Sequence, residues 1–259
     1  IGMMRKAREL YDANPSSVVF LDFGGRDFDQ PTVIEPAKPS RAFWESVLHV
    51  ALDDLATLVA PNRVIICEGN PALPKPGKNV EYDALVYATI FADEFPDVTF
   101  ISAGSASQVS GDFLALATAL SKVASGMKMT RLIDLDDHAP ADVATYKQQG
   151  ITVLGRRHIE VYLYDDEVLT ALCHSVGRAG DISAVLAAKQ QALAESAARG
   201  NPNDDVKSAA GKIYTEAKRI LGLTQVGNNQ VAFARNTLAP LIKPGMAVYA
   251  DLKKDIFGH

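Results

Sequence analysis

Two stretches decide how this chain is read: Val64-Ile65-Ile66-Cys67-Glu68-Gly69 and Arg131-Leu132-Ile133-Asp134-Leu135-Asp136-Asp137. Each is a short apolar run that ends in carboxylates. Apolar runs this short, with no polar residue alternating through them, suit strands buried on both faces, as in a parallel sheet. The surrounding residues keep the pattern. Glu81–Glu94 is predicted as a helix, Val98–Ser102 as a strand, Asp112–Ser125 and Ala141–Gln149 as helices, and Ile151–Leu154 as a strand. Strands alternating with helices argue for βαβ units, an α/β fold with a mostly parallel sheet flanked by helices.

Upstream, Ser17–Asp22 reads as a short buried strand, followed by a loop rich in Gly, Asp and Pro. Ser40 caps a predicted helix over Arg41–Leu58, which Pro61 stops. Phe43 and Trp44 on that helix read as core residues. Beyond about Glu160 the chain turns helical, with helices predicted over Asp166–Val176, Asp181–Ala198, Asp204–Leu221 and Gln230–Leu241 and breaks marked by Gly and Pro. Three zones result: 1–62, 63–165 and an appended helical region, 166–259. The opening Ile1-Gly2 reads as an expression scar or the edge of an excised fragment.

With 47% hydrophobic and 22% charged residues, the composition is that of an ordinary globular protein. The longest apolar runs fall far short of the roughly 20 residues that cross a bilayer, and the first residues lack the pattern of a signal peptide. Cys67 and Cys173 are the only cysteines, too few for a disulfide framework or a cysteine zinc site. A cytoplasmic protein is expected. Net charge −5 argues against a module that binds duplex DNA by phosphate neutralisation alone. It argues less against a metal-dependent enzyme, whose site concentrates carboxylates and uses a cation to bring phosphates close. No G-x-x-x-x-G-K-[ST] motif is present, so no ATP site is expected in this chain.

In an open parallel sheet, functional groups gather at the carboxyl ends of the strands. Glu68 ends one strand; Asp134 and Asp136 end another. If residues 131–135 stay extended, the period of two puts Asp134 and Asp136 on one side. With the two strands as neighbours, the three carboxylates form one cluster, which cannot stay ionised at a low-dielectric rim without a cation. Hard oxygen ligands favour Mg²⁺ or Mn²⁺. The plainer reading of Asp134-Leu135-Asp136-Asp137 is a solvated turn or a helix cap. Asp134, however, follows the apolar Leu132-Ile133, where an unpaired charge is costly.

An apolar strand ending in Glu-Gly and a later one leading into Asp-x-Asp resemble the Toprim fold, found in topoisomerases, bacterial primases, RecR-type repair proteins and OLD-family nucleases (overcoming lysogenisation defect). The segment FISAGSASQV (100–109) is similar to the OLD-type middle strand and turn, and the resemblance covers about residues 63–165. Residues 1–62 resemble the tail of the ATPase domain that precedes Toprim in OLD proteins. The resemblance implies a DNA endonuclease that hydrolyses phosphodiester bonds with one or two Mg²⁺ or Mn²⁺ ions. DNA, an upstream ATPase domain and a possible second copy of the chain are its implied partners, and phage defence its implied setting. Glu68, Asp134 and Asp136 match the catalytic and metal-binding acids, and Asp83 matches a further acid. By its residue chemistry Asp83 is equally a helix-start carboxylate complementing the dipole. Arg156-Arg157-His158-Ile159-Glu160 resembles the family's R-x-x-I-E run, with Glu160 as a metal ligand and Arg157 on a phosphate; an exposed ion-pair network is the alternative. Ser102 reads as a substrate-positioning hydroxyl or part of a tight turn. Lys207 and Lys212 lie where the family places a lysine, and Lys212, beside Gly211, is taken as catalytic. The histidines read as structural. A non-catalytic scaffold of the RecR type is the main alternative; a topoisomerase or primase is disfavoured by size and cysteine count.

Overall fold

The computed structural model describes residues 2–21, 33–40, 43–44, 61–71, 79–111 and 127–258. The chain divides into two compact units, one of 1–64, 95–99 and 114–129, the other of 65–94, 100–113 and 130–259.

The first unit opens with α1 (Gly2–Ala13), which sequence periodicity did not single out. Met4, Phe20 and Phe43 pack against Trp44, which is 1% exposed, the core role expected of it. The predicted strand Ser17–Asp22 shortens to β1 (Phe20–Leu21), which pairs antiparallel with β2 (Pro36–Ala37). Its first residues go elsewhere because the Ser17 hydroxyl donates back to the Leu10 and Asn14 carbonyls, a local bond that competes with the ladder. Of the predicted helix Arg41–Leu58, only Phe43 and Trp44 are described, both helical. The predicted helix Asp112–Ser125 lies outside the described residues.

Strands β3 (Arg63–Cys67), β4 (Val98–Ser102), β5 (Lys128–Ile133) and β6 (Ile151–Val153) make a four-stranded parallel sheet in the order β4-β3-β5-β6. β5 and β6 align with Arg131 opposite Ile151 and Ile133 opposite Val153. Val64 to Cys67 are all buried, as an unbroken apolar run predicts for a strand covered on both faces.

Helices flank this sheet. α2 (Tyr82–Phe91) sets Tyr87 and Phe91 against Phe100 of β4, ring centroids 5.3 and 6.2 Å apart. α3 (Ala106–Ser110) follows β4, α4 (Pro140–Gln148) follows β5, and the short α5 (Ile159–Leu163) follows β6. The C-terminal region is helical as expected, with α6 (Asp166–Ser175), α7 (Ile182–Ala198) and α8 (Val206–Leu221). The predicted helix Gln230–Leu241 holds as α9 (Gln230–Phe233) and then widens to a π-turn over Ala234–Leu238 and tightens to a 3₁₀ turn over Ala239–Leu241. Pro240, with no N–H to donate, explains the second break. A last helix, α10 (Ala247–Phe257), was not anticipated. Asp255 anchors it by accepting from the Gly155 N–H (3.0 Å) and the Tyr162 hydroxyl, and Phe257 meets Phe91 edge-on. Among the described residues, no helix is long and apolar enough to cross a membrane.

Candidate metal centre

Because β3 and β5 are neighbours, Glu68 and Asp134 leave the sheet at the same edge. The Asp134 backbone N–H donates to Glu68 Oε1 over 2.9 Å. A cavity of about 380 Å³ opens there, lined by Glu68, Asp83, Asp134, Asp136, Glu160 and Lys207. All five acids predicted as metal ligands therefore face one cavity.

Each reaches it by a different route. Gly69 turns the chain after Glu68 with φ +119° and exchanges two backbone hydrogen bonds with Gly104, 2.9 and 2.7 Å. Both φ values, +119° and +98°, lie where only glycine is comfortable. At Gly69 a Cβ would also stand 2.9 Å from Asp83 Oδ2 and 2.8 Å from Ser102 Oγ, so the glycine lets these groups close in. Asp83 projects from the first turn of α2. Strand alternation does not put Asp134 and Asp136 on one side: β5 ends at Ile133, and Asp136 adopts a left-handed φ of +37°. A turn, held where the Asp136 N–H donates to the Arg157 carbonyl over 2.9 Å, brings both acids to the cavity instead. Glu160 sits in the first turn of α5, only 8% exposed.

Burial raises the Asp134 carboxyl well above its usual range, and the neighbouring Asp83, Glu68 and Glu160 raise it further. Asp83 is pushed up to about 7, by burial first and then by Glu160. Burial lifts Glu68 as well, against the opposing Asp134 N–H. Glu160 goes the other way: burial pushes it up, but His158 and Lys207 outweigh burial and hold it below the usual range. Partial burial would lower Lys207, yet Glu160, Asp134, Asp83 and Asp136 prevail and keep its ammonium charged. The cavity is thus an acidic pocket with too little positive charge of its own.

No family model, curated protein or solved structure matches this chain.

Among the described residues, no three acidic, imidazole or thiol side chains already stand in a metal-holding arrangement. The donors nevertheless suit a hard divalent cation. They are carboxylate oxygens only, the set that Mg²⁺ and Mn²⁺ take. Glu160 Oε2 is buried without a hydrogen bond. His158 Nδ1 lies 3.2 Å from it, close enough for attraction but off a hydrogen-bonding line. Like charges crowded at a buried edge, with an acceptor to spare, fit a bound cation.

The remaining predicted residues divide. Ser102 is buried beside Gly69 and lines neither this cavity nor the neighbouring one. Arg157 lies outside the carboxylate cavity, pairing with Asp137 (2.6 Å) and Asp204 (3.0 Å). Lys212 is elsewhere, 3.8 Å from Glu195, and Lys207, five residues earlier, is the lysine that reaches the acids. His158, read from sequence as merely structural, is 2% exposed and stands between Glu160 and Asp205, the cap of α8 (Nε2 to Asp205 Oδ1, 3.3 Å). It links the helix that carries Lys207 to the acid cluster. The Asp205 cap, whose side chain accepts from the Ser208 N–H over 3.0 Å, was the available signal, since it fixes which turn of α8 faces the site.

Proposed function

We propose that this chain is a divalent-metal-dependent nuclease that hydrolyses DNA phosphodiester bonds with a Toprim-type site, as the catalytic portion of an OLD-like enzyme. The observation that carries this reading is the junction of two strand ends, Glu68 Oε1 on the Asp134 N–H, within a cavity that also gathers Asp83, Asp136, Glu160 and Lys207. Adjacent parallel strands that end in Glu and in Asp-x-Asp agree with the motif order that suggested Toprim.

Glu68, Asp134 and Asp136 would hold one or two Mg²⁺ or Mn²⁺ ions, with Asp83 and Glu160 completing the oxygen set. Bound there, such ions would supply activation of water and stabilisation of the leaving oxygen. The protein's own groups do the rest. The Asp134 and Ala106 backbone N–H groups hold the Glu68 carboxylate in place at the cavity. Lys207, kept charged by the acids, balances phosphate charge as the backbone of the substrate enters. His158 holds α8 and Glu160 in register.

Plasmid cleavage compared in Mg²⁺, Mn²⁺, Ca²⁺ and EDTA tests the reading. Nicking or linearisation that needs Mg²⁺ or Mn²⁺ and disappears in Glu68→Gln and Asp134→Asn is the expected result. A folded protein that cleaves in no metal would favour a RecR-type scaffold, and cleavage that survives both substitutions would remove the acids from the chemistry.

A further inference from the structure

A second cavity, about 780 Å³, shares Glu68, Asp136 and Lys207 with the carboxylate cavity. Its far wall has different chemistry. His138 and Tyr146 both line it and form an edge-to-face ring pair, centroids 5.1 Å apart at 70°. Ser105, Ser107 and Ser110 add hydroxyls around it.

The ring pair is not part of the core. α4, which carries Tyr146, buries none of its residues, and His138 is itself only partly buried. An edge-to-face contact uses the edge of one ring and one face of the other, so further ring face is left to stack on something flat. Arg157 on this wall is tied to Asp137 and Asp204, which leaves Lys207, at the edge shared with the first cavity, to meet a single phosphate. Such a wall is poor at tracking the phosphates of a duplex. It suits a flat, uncharged ring whose attached phosphate reaches Lys207.

We propose that the His138–Tyr146 cavity receives an unpaired nucleobase next to the scissile phosphate, so that the chain acts on single-stranded or frayed nucleic acid; the identity of the ligand rests on the nuclease reading above. A base inside a duplex shows its edges in the grooves and keeps its faces stacked, whereas an unpaired base offers a face to aromatic side chains. The volume accommodates one nucleotide. The serine hydroxyls meet the base edge or the sugar.

Fluorescence anisotropy on the full chain in Ca²⁺ measures binding apart from cleavage, with labelled oligo-dT, oligo-rU and a duplex of equal length as probes. Single strands are expected to bind on the order of tenfold more tightly than the duplex. Tyr146→Ala should lose about tenfold of that affinity and Tyr146→Phe should retain it. The tighter of the two single strands identifies the sugar. Equal binding of single strand and duplex, or Tyr146→Ala and His138→Ala both binding like the parent, overturns the proposal. Plasmid cleavage run alongside separates the two claims. Metal-dependent cleavage without a Tyr146 effect removes the base pocket alone. Tyr146-dependent single-strand binding without cleavage removes the nuclease reading and leaves the pocket.

Discussion

Replacing Asp83 with asparagine should make the metal-free protein more stable, and by an amount that grows with pH. Asp83 is half-buried and faces Glu160 and Glu68, and its carboxyl is raised from 3.8 to about 7. Between those values the folded protein holds a proton that the unfolded chain has released. The stability tied to that proton is full at low pH, drains as pH rises, and is gone above about 7. At about 1.4 kcal/mol per pH unit, Asp83 costs the fold roughly 4 kcal/mol at pH 8, where it is ionised, and under about 2 kcal/mol at pH 5, where it must take up a proton on folding. Asparagine keeps the shape without the charge. At about 2–4 °C per kcal/mol for a chain of this size, Asp83→Asn should raise Tm by about 10 °C at pH 8 and by about half that at pH 5. Thermal unfolding in EDTA at the two pH values reads this directly, and Mn²⁺ should stabilise the parent more than the variant. A Tm gain that is the same at both pH values, or a variant less stable than the parent at pH 8, would refute the argument that crowded acids strain this cavity.

Three further substitutions test how the site is built. Gly69→Ala puts a Cβ 2.9 Å from Asp83 Oδ2 at a φ of +119° and should cost about 1–3 kcal/mol; a Tm drop together with weaker Mn²⁺ binding is expected, and an unchanged Tm would show that the turn relaxes freely. Lys207→Ala should slow cleavage on the order of a hundredfold, while Lys212→Ala, on a lysine 3.8 Å from Glu195 and away from the cavity, should stay within about twofold; the reverse order in a kinetic assay would place the active lysine at 212.

Periodicity and strand ends were enough to read the sheet. Val64–Cys67 could be read as a buried strand because nothing polar interrupts it, and Glu68 and Asp134 followed as candidate residues at the sheet's carboxyl edge. Neighbour order could not be read, since strand pairing depends on contacts between distant residues; that β3 lies beside β5 emerges only in three dimensions. Strand alternation misplaced the reason for Asp136, because a left-handed residue after Ile133 turns the chain before the alternation can run. The choice between Lys207 and Lys212 turns on helical phase. Five residues advance about 500°, roughly 140° from the starting face, so only a fixed helix start separates them. The Asp205 cap provides that start. Helix α10 escaped notice because tertiary contacts at Asp255 and Phe257, more than propensity, hold it. His158 was missed because a lone histidine carries no spacing signal; its importance lies in standing between two acids from different helices.

Anomalous scattering from a crystal of the protein soaked in Mn²⁺ tests the metal site itself. One or two peaks among Glu68, Asp134 and Asp136, absent from an Asp134→Asn crystal soaked in the same way, are the predicted result. A crystal of the parent protein with these carboxylates ordered and no peak among them at saturating Mn²⁺ would contradict it.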